Sequence, residues 1–566
     1  MSEETPGQEE PSVEQAEPDE PLEPDEPLEP AEPREPAEPR DPDERAVADD
    51  VGPAASAHII GRASAVALWG LTGKIVSIEA GVSAGLPGID IVGLPDASVS
   101  ESRKRLRAAL AYLGEPVATE HLTINLTPGT VPKIGTGFDL GIAVAVLRAL
   151  SLITTEDTGS VIHCGEIGLD GRIRPVTGVL PSLHTALQAG FDRFVVPIGN
   201  ADEARLIGRA RVLPVASLAE VVNAYGGSMA VPALPAVLDM DRPVPVAPEL
   251  HDLCEVQGQA EGRFGLEVAA AGGHNLLMRG TPGAGKTLLA QCLPGILPPL
   301  SDDEAVEVAA VRSLRGELDG SDGLDHRPPF EAPHHRSTAS ALIGGRRPGT
   351  VGVLSRAHRG VLFMDEAPEF SRDVLEALRQ PMESRRVHIH RAWGSMVLPA
   401  SFQLIMAANP CPCGVGMAGV GADCRCTPLD KRRYRNRLSG PLLDRVDLQL
   451  ELFPVSPADL RLGGDQETSA TVAARVLDAR NRQAERFADC DWRLNAEAPG
   501  AWLRDHFALT PADLSDLDRA LDTGRITMRG YDRVLRVATT LADLAGKPGP
   551  DPDTMRTALA LRTQES

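Results

Sequence analysis

The stretch "HNLLMRGTPGAGKTLLAQCL" (274–293) fixes the frame for the rest of the chain. It sets G-x-x-x-x-G-K-T, Gly280 to Thr287, between an apolar run of strand character and a run of helical character. Glycines in such a turn let successive backbone N–H groups wrap phosphate oxygens, while Lys286 reaches the β and γ oxygens and the Thr287 hydroxyl binds Mg2+. The pattern predicts an α/β fold with ATP and Mg2+ at the carboxyl ends of its strands. The cradle is Gly280, Thr281, Pro282, Gly283, Ala284, Gly285, Lys286 and Thr287. A ligand-free glycine turn is the bland alternative, and the flanking strand and helix argue against it.

Two more apolar runs end in polar residues. In "GVLFMDEAPEF" (360–370), 79 residues after Lys286, four apolar side chains deliver Asp365 and Glu366. A buried strand ending in two carboxylates suits a Mg2+-holding Asp365 and a Glu366 that acts as base on the attacking water. "FQLIMAAN" (402–409) ends in Asn409, which the same geometry sends to the γ-phosphate or its water; the alternative is an Asn that favours the turn before Pro410. Just beyond, Cys411, Cys413, Cys424 and Cys426 form two C-x-C pairs. Four thiolates match tetrahedral Zn2+, although one-residue spacing is tighter than the usual two to four. A reduced, partly buried thiol cluster is the alternative.

The 566 residues leave ample length for two or three domains with their own cores. Of the formal charge of −24, residues 1–50 contribute −17 through 20 acidic side chains and three arginines, so the body is only mildly acidic. Charge alone therefore neither supports nor excludes a nucleic-acid partner. Eight cysteines in so long a chain do not make a secreted disulfide scaffold. The amino terminus has no basic start followed by an apolar core, and no apolar run approaches a membrane span, so a cytoplasmic protein without membrane contact is expected.

Residues 1–57, with Pro at nearly every third position and few large apolar side chains, predict a disordered acidic arm. Alternating strand and helix patterns from 58 to 228 predict an α/β domain, and the Pro-rich stretch 229–250 a linker. The ATPase core is expected over 251–455 and a helical lid over 456–566.

Taken together, "APHHRSTASALIGG", "GVLFMDEAPEF", "AANPCPCG", "CRCTP" and "LSGPLLDRVDL" resemble the Mg-chelatase-like AAA+ ATPases of the YifB/ComM family, over about 60–560. The resemblance implies a homo-oligomeric ring, hexameric, with ATP bound between subunits. For members acting in natural transformation it implies a DNA helicase that drives branch migration. It assigns Arg445 in "SGPLLDRVDL" as a finger on the neighbour's nucleotide and Arg529 in "TMRGYDRVLRVATTLADL" as the second sensor; Arg533 and Arg536 are read as solvated helix charges or as rivals for that role. It makes "RRVHIHRAWGSMVLP" (385–399) a pore hairpin whose tip, Arg391, contacts single-stranded or branched DNA, the bland reading being an exposed charge. The basic insert "GGRRPGTVG" (344–352) is a second pore-loop candidate.

The domain before the linker resembles the proteolytic domain of Lon in "LTPGTVPKIGTGFDLGIAVAVL" and "CGEIGLDGRIRPVTGVLPSLHTALQAG". The serine position is unfilled, with Thr136 and Phe138 in that segment, and Ser182 stands where the lysine would be. A Ser–Lys dyad needs both groups, so peptidase chemistry is not expected. A chelatase-type motor remodelling a protein partner is the alternative to a DNA motor, weighed down by the Lon-like domain, which chelatase motor subunits were expected to lack.

Overall fold

The computed structural model describes residues 59–83, 86–115, 121–233, 235–237, 249–345, 350–391, 394–414, 424–455 and 466–562. The acidic arm, most of the linker after 237, residues 346–349 of the basic insert and residues 415–423 between the cysteine pairs lie outside them.

The first sheet has seven strands: β1 (Gly61–Trp69), β2 (Thr72–Ser83), β3 (Gly88–Val92), β4 (His121–Thr127), β5 (Ile162–His163), β8 (Arg193–Pro197) and β9 (Arg211–Val215). Their order is β3-β4-β2-β1-β5-β8-β9, with the β1–β2 and β2–β4 pairs antiparallel and the β3–β4, β1–β5, β5–β8 and β8–β9 pairs parallel. Two-residue strands β6 (Glu166–Ile167) and β7 (Ile173–Arg174) form a separate hairpin. Helix Asp139–Ala149 buries every residue except Arg148; an element apolar all round belongs inside, here in one core with Ile78, Leu122 and Ile124 of the sheet.

The second sheet comprises β10 (Leu276–Gly280), β11 (Phe330–Glu331), β12 (Val361–Met364), β15 (Gln403–Ala408) and β16 (Leu448–Leu452). It is wholly parallel in the order β11-β12-β15-β10-β16. Strands covered on both faces read as continuous apolar runs, and alternate residues serve different cores. Leu276, Met278, Phe363 and Ile405 join the helices of 469–562 in one cluster. Leu277, Leu362, Met364 and Met406 join Leu442 and the hairpin β13 (Arg386–Arg391) and β14 (Gly394–Pro399) in another. The carboxyl-terminal region is helical throughout its named elements, Ser469–Arg486, Gly500–His506, Pro511–Asp522, Met528–Leu544 and Pro552–Arg562.

Helix Asp302–Leu314, opened by a Ser301/Glu304 capping box, ties the first sheet to the second. On one side Ala309 and Ala310 pack with Leu180 and Leu318, and the Ser313 hydroxyl donates to Glu203. On the other, Glu307 accepts from His358 Nε2 at 3.0 Å and Arg359 Nε at 2.8 Å, directly before β12. His358 Nδ1 accepts the Ser401 N–H at 3.1 Å, which leaves Nε2 to donate to Glu307. The β1–β2 turn at Gly70 also sits against β14, where a Cβ would come within 2.9 Å of the Val397 carbonyl oxygen. No helix among the described residues is long and apolar enough to cross a membrane.

Candidate active site

The carboxyl ends of β10, β12 and β15 converge. The loop after β10 turns through Gly283 and Gly285, at φ 80° and 84°, a backbone region open to glycine. Gly280 is required for a different reason: a Cβ there would lie 2.5 Å from the Leu452 carbonyl oxygen on β16. Lys286, 8% exposed, donates to the carbonyls of Gly280 at 2.8 Å and Thr281 at 3.0 Å and to Asn409 Oδ1 at 3.2 Å. Burial pulls its pKa below the usual lysine range, opposed by the charges of Asp365 and Glu366.

The Thr287 hydroxyl donates to Asp365 Oδ2 at 3.0 Å. Two cis oxygens on an octahedral ion with bonds of about 2.0–2.1 Å stand about 3 Å apart, so this pair fits Mg2+. Glu366 lies in the left-handed region, φ 49° and ψ 45°, and its N–H donates to Asp365 Oδ1 at 2.8 Å. That conformation sends the successive carboxylates to different partners. Asp365 meets Thr287, while Glu366 Oε2 lies 3.5 Å from His335 Nδ1. His335 follows β11, the strand paired with β12, and its ring lies 4.2 Å from that of His334. Sequence reading quoted this histidine pair and gave it no role. Only the parallel β11–β12 register could have revealed it.

Arg445 is not brought to this cluster. It precedes β16, which runs parallel to β10 with Leu448 beside Leu276 and Leu452 beside Gly280. At about 3.3 Å per residue, Arg445 lies on the order of 20 Å from its own phosphate loop, at the amino end of the sheet. It is 9% exposed, donating to Glu383 and, at 2.6 Å, to the Pro441 carbonyl; its Nε has no partner among the described residues. Arg529 stands at the same end, 3.9 Å from Asp444, with its side chain 69% exposed. Arg533 and Arg536 are not solvated. Arg533 donates to the buried Asp447 at 2.5 Å and Arg536 to the Ala498 carbonyl at 2.7 Å.

Arg391 ends β13 opposite Gly394, with residues 392–393 between them outside the described residues, as is the Arg391 side chain. Of the cysteines, Cys411 Sγ lies 3.3 Å from Cys413 Sγ and 3.8 Å from Cys424 Sγ, Cys413 and Cys424 are 3.7 Å apart, and all four sulfurs fall within 4.8 Å of one another. Sulfurs on a tetrahedral Zn2+ with bonds of about 2.3 Å stand about 3.8 Å apart, so the donor set fits zinc. Gly414, closing this turn, abuts Pro282 of the phosphate loop. In the first domain Ser182 is buried in helix Val179–Gln188 and its hydroxyl donates to the Gly178 carbonyl at 2.7 Å, while Thr136 lies in a separate short turn.

A parallel sheet with a phosphate loop and an acidic pair on adjoining strand ends, backed by a helical region, defines an AAA+ P-loop ATPase core. The family model described as "Magnesium chelatase, subunit ChlI" matches residues 252–460, "Subunit ChlI of Mg-chelatase" matches 78–200 and "Magnesium chelatase, subunit ChlI C-terminal" matches 466–562. An uncharacterized protein of Mycobacterium tuberculosis is 45% identical over 508 residues, 89% of this chain and 98% of that protein. YifB of Escherichia coli is 40% identical over 484 residues, 84% and 92% of the two chains. Competence protein ComM of Haemophilus influenzae is 38% identical over 483 residues, 85% and 93%. The chain belongs to the YifB/ComM family of magnesium-chelatase-like AAA+ ATPases. A shorter match, 29% over 176 residues, relates it to 22% of a Lon protease of Mycolicibacterium smegmatis. Because a chelatase-subunit model covers 78–200, the first domain does not separate this chain from chelatase motors as expected.

Proposed function

We propose that the protein is a ring-forming ATPase that couples ATP hydrolysis to movement along single-stranded or branched DNA, the ring being a hexamer. The observation that carries this reading is the separation of the two halves of the site. The phosphate loop, Asp365, Glu366 and Asn409 gather at the carboxyl end of the sheet, Arg445 and Arg529 at the amino end. Arginines that cannot reach their own nucleotide complete the site of a neighbour, which makes turnover depend on assembly.

In that site Lys286 holds the β/γ oxygens, Asn409 orients the γ-phosphate or its water, and Glu366 takes the proton of the attacking water. Mg2+ held by Thr287 and Asp365 would neutralise charge on the phosphates. Arg445, released from Glu383, supplies positive charge to the transition state across the interface. Cys411, Cys413, Cys424 and Cys426 hold a structural Zn2+ that stiffens the loop against Pro282. The hairpin β13–β14, ending at Arg391, faces DNA in the pore. The name of the Haemophilus relative, a competence protein, supports DNA as the track.

The test is ATP turnover with and without forked and four-way DNA, alongside ATP-dependent resolution of a labelled four-way junction. Stimulation and junction movement are expected. Turnover indifferent to every DNA would point to the second reading, a motor acting on a protein partner, which the chelatase-subunit matches favour.

A further inference from the structure

Directly after Cys426, Thr427 opens helix Pro428–Arg435 with a capping box to Asp430. The helix is rooted by Tyr434 and, just past its end, Leu438, both 4% exposed. That anchoring leaves Arg432, Arg433 and Arg435 exposed on the helix, Lys431 half-buried, and Arg425 exposed between the second pair of cysteines. The carboxylate of Asp430 is occupied by its cap, accepting from Thr427 N at 3.0 Å and Thr427 Oγ1 at 2.7 Å. Among the described residues none of these five cations makes an ion pair, whereas Arg437, one turn on, reaches Glu369 at 2.8 Å.

The chain has one comparable run among the described residues, Arg103–Arg107, with four cations in five residues, of which Arg105 lies on Asp139. Elsewhere Arg105, Arg312, Arg359 and Arg475 each lie on a carboxylate. Five like charges within eleven residues repel one another unless a partner of opposite sign covers them. The eight-residue helix makes a ridge about 12 Å long, enough for three or four successive phosphates at about 3.4 Å of rise per strand. Four of the five cations are arginines, whose planar forks suit phosphate oxygens. A protein partner would call for an apolar centre, and the exposed side chains here are polar apart from Pro428 and Leu429 at the start of the helix.

We propose that the ridge Arg425–Arg435 is a sequence-independent contact for the phosphate backbone of nucleic acid, separate from the β13–β14 hairpin. It rests on the DNA-motor reading and adds to it a second, outlying grip beside the cysteine cluster.

The experiment measures binding of a fluorescein-labelled forked DNA by anisotropy between 50 and 200 mM salt, for the full chain and for the triple variant Arg432→Ala, Arg433→Ala, Arg435→Ala, on the order of the range where phosphate contacts dominate. The variant is expected to bind at least about tenfold more weakly at the low-salt end, with its log–log salt slope shallower by about 2–3 and its DNA-independent ATPase retained. Wild type that binds DNA with the variant unchanged overturns the ridge and leaves the motor reading standing; wild type that binds no DNA removes both. Loss of assembly in sedimentation, with DNA affinity per assembled ring unchanged, would make the face a joint between copies and overturn the proposal. So would displacement of DNA by poly-glutamate as effective as by unlabelled DNA, since that would mark an acidic protein partner. Should the alanine variant not fold, the triple variant Arg432→Gln, Arg433→Gln, Arg435→Gln decides: weaker binding with a shallower salt slope supports the ridge, and unchanged affinity and slope overturn it.

Discussion

Glu366 holds a conformation that costs a non-glycine residue roughly 1–2 kcal/mol, and in return its carboxylate is turned from Asp365 toward His335. Two substitutions separate binding from chemistry at this point. Lys286→Ala should abolish ATP binding measured by calorimetry, because the loop loses its one buried ammonium. Glu366→Gln should retain binding while turnover falls about 10²–10⁴-fold, the usual loss on removing a general base. Wild-type ATP affinity in the Lys286 variant would refute the division. His335→Ala should lower kcat by a smaller factor with ATP affinity intact, and an unchanged kcat would make that contact incidental. The residues that meet around the phosphate loop were legible because each ends an apolar run, and the ends of parallel strands converge. His335 was not, because its place depends on which strands pair. The burial of Arg445 against Glu383 was equally hidden, since "LLDR" says nothing of a carboxylate 62 residues earlier.

At the scale of elements, helix Asp302–Leu314 braces β12 through Glu307. The hydrogen bond from His358, with the charge of Arg359, holds the Glu307 carboxyl at about 2, well below its ordinary 4.5, against burial that pushes the other way. A lowered folded-state pKa gives stability present above pH 4.5 and lost as pH falls toward 2. Glu307→Gln should therefore destabilise by about 1 kcal/mol near neutrality, a figure discounted for a half-exposed carboxylate. The gap between variant and wild type in urea unfolding should narrow below about pH 4.5, and a constant gap would exclude the charge as its source. The cysteine loop makes a separate prediction. Protein purified without chelator should contain about one zinc per chain, and stripping it should lower both the melting temperature and ATP affinity through the contact of Gly414 with Pro282. Zinc near zero in elemental analysis would reject the site. Long periodic elements were legible here: helix Ala97–Tyr112 lies in the stretch 58–228 whose alternating patterns predict strands and helices. The order β3-β4-β2-β1-β5-β8-β9 was not, because strand neighbours in a mixed sheet follow from packing, and the two-residue β5, β6 and β7 are too short to show a period.

For the whole molecule, the division of the site between the ends of one sheet predicts complementation. Rings of Arg445→Ala alone or Glu366→Gln alone should be inactive. Rings mixed from the two should recover part of the wild-type turnover, at those joints where an intact Glu366 faces an intact Arg445. Mixed rings no more active than either parent would place both groups in one subunit's site. Changes of composition and period are what divide the chain into parts in the sequence. How the parts brace one another was not, because Ser313 with Glu203 and Gly70 with β14 join residues far apart in the chain. The opposed placement of Arg445 and the phosphate loop has a last consequence, in stoichiometry. If each joint carries the arginine of one subunit to the nucleotide of the next, an open arc of any length ends in one subunit whose nucleotide has no arginine facing it. Closing the circle supplies that missing group without any new kind of contact, so turnover per chain reports whether the circle is shut, and dilution that breaks circles into arcs would silence one site for every break.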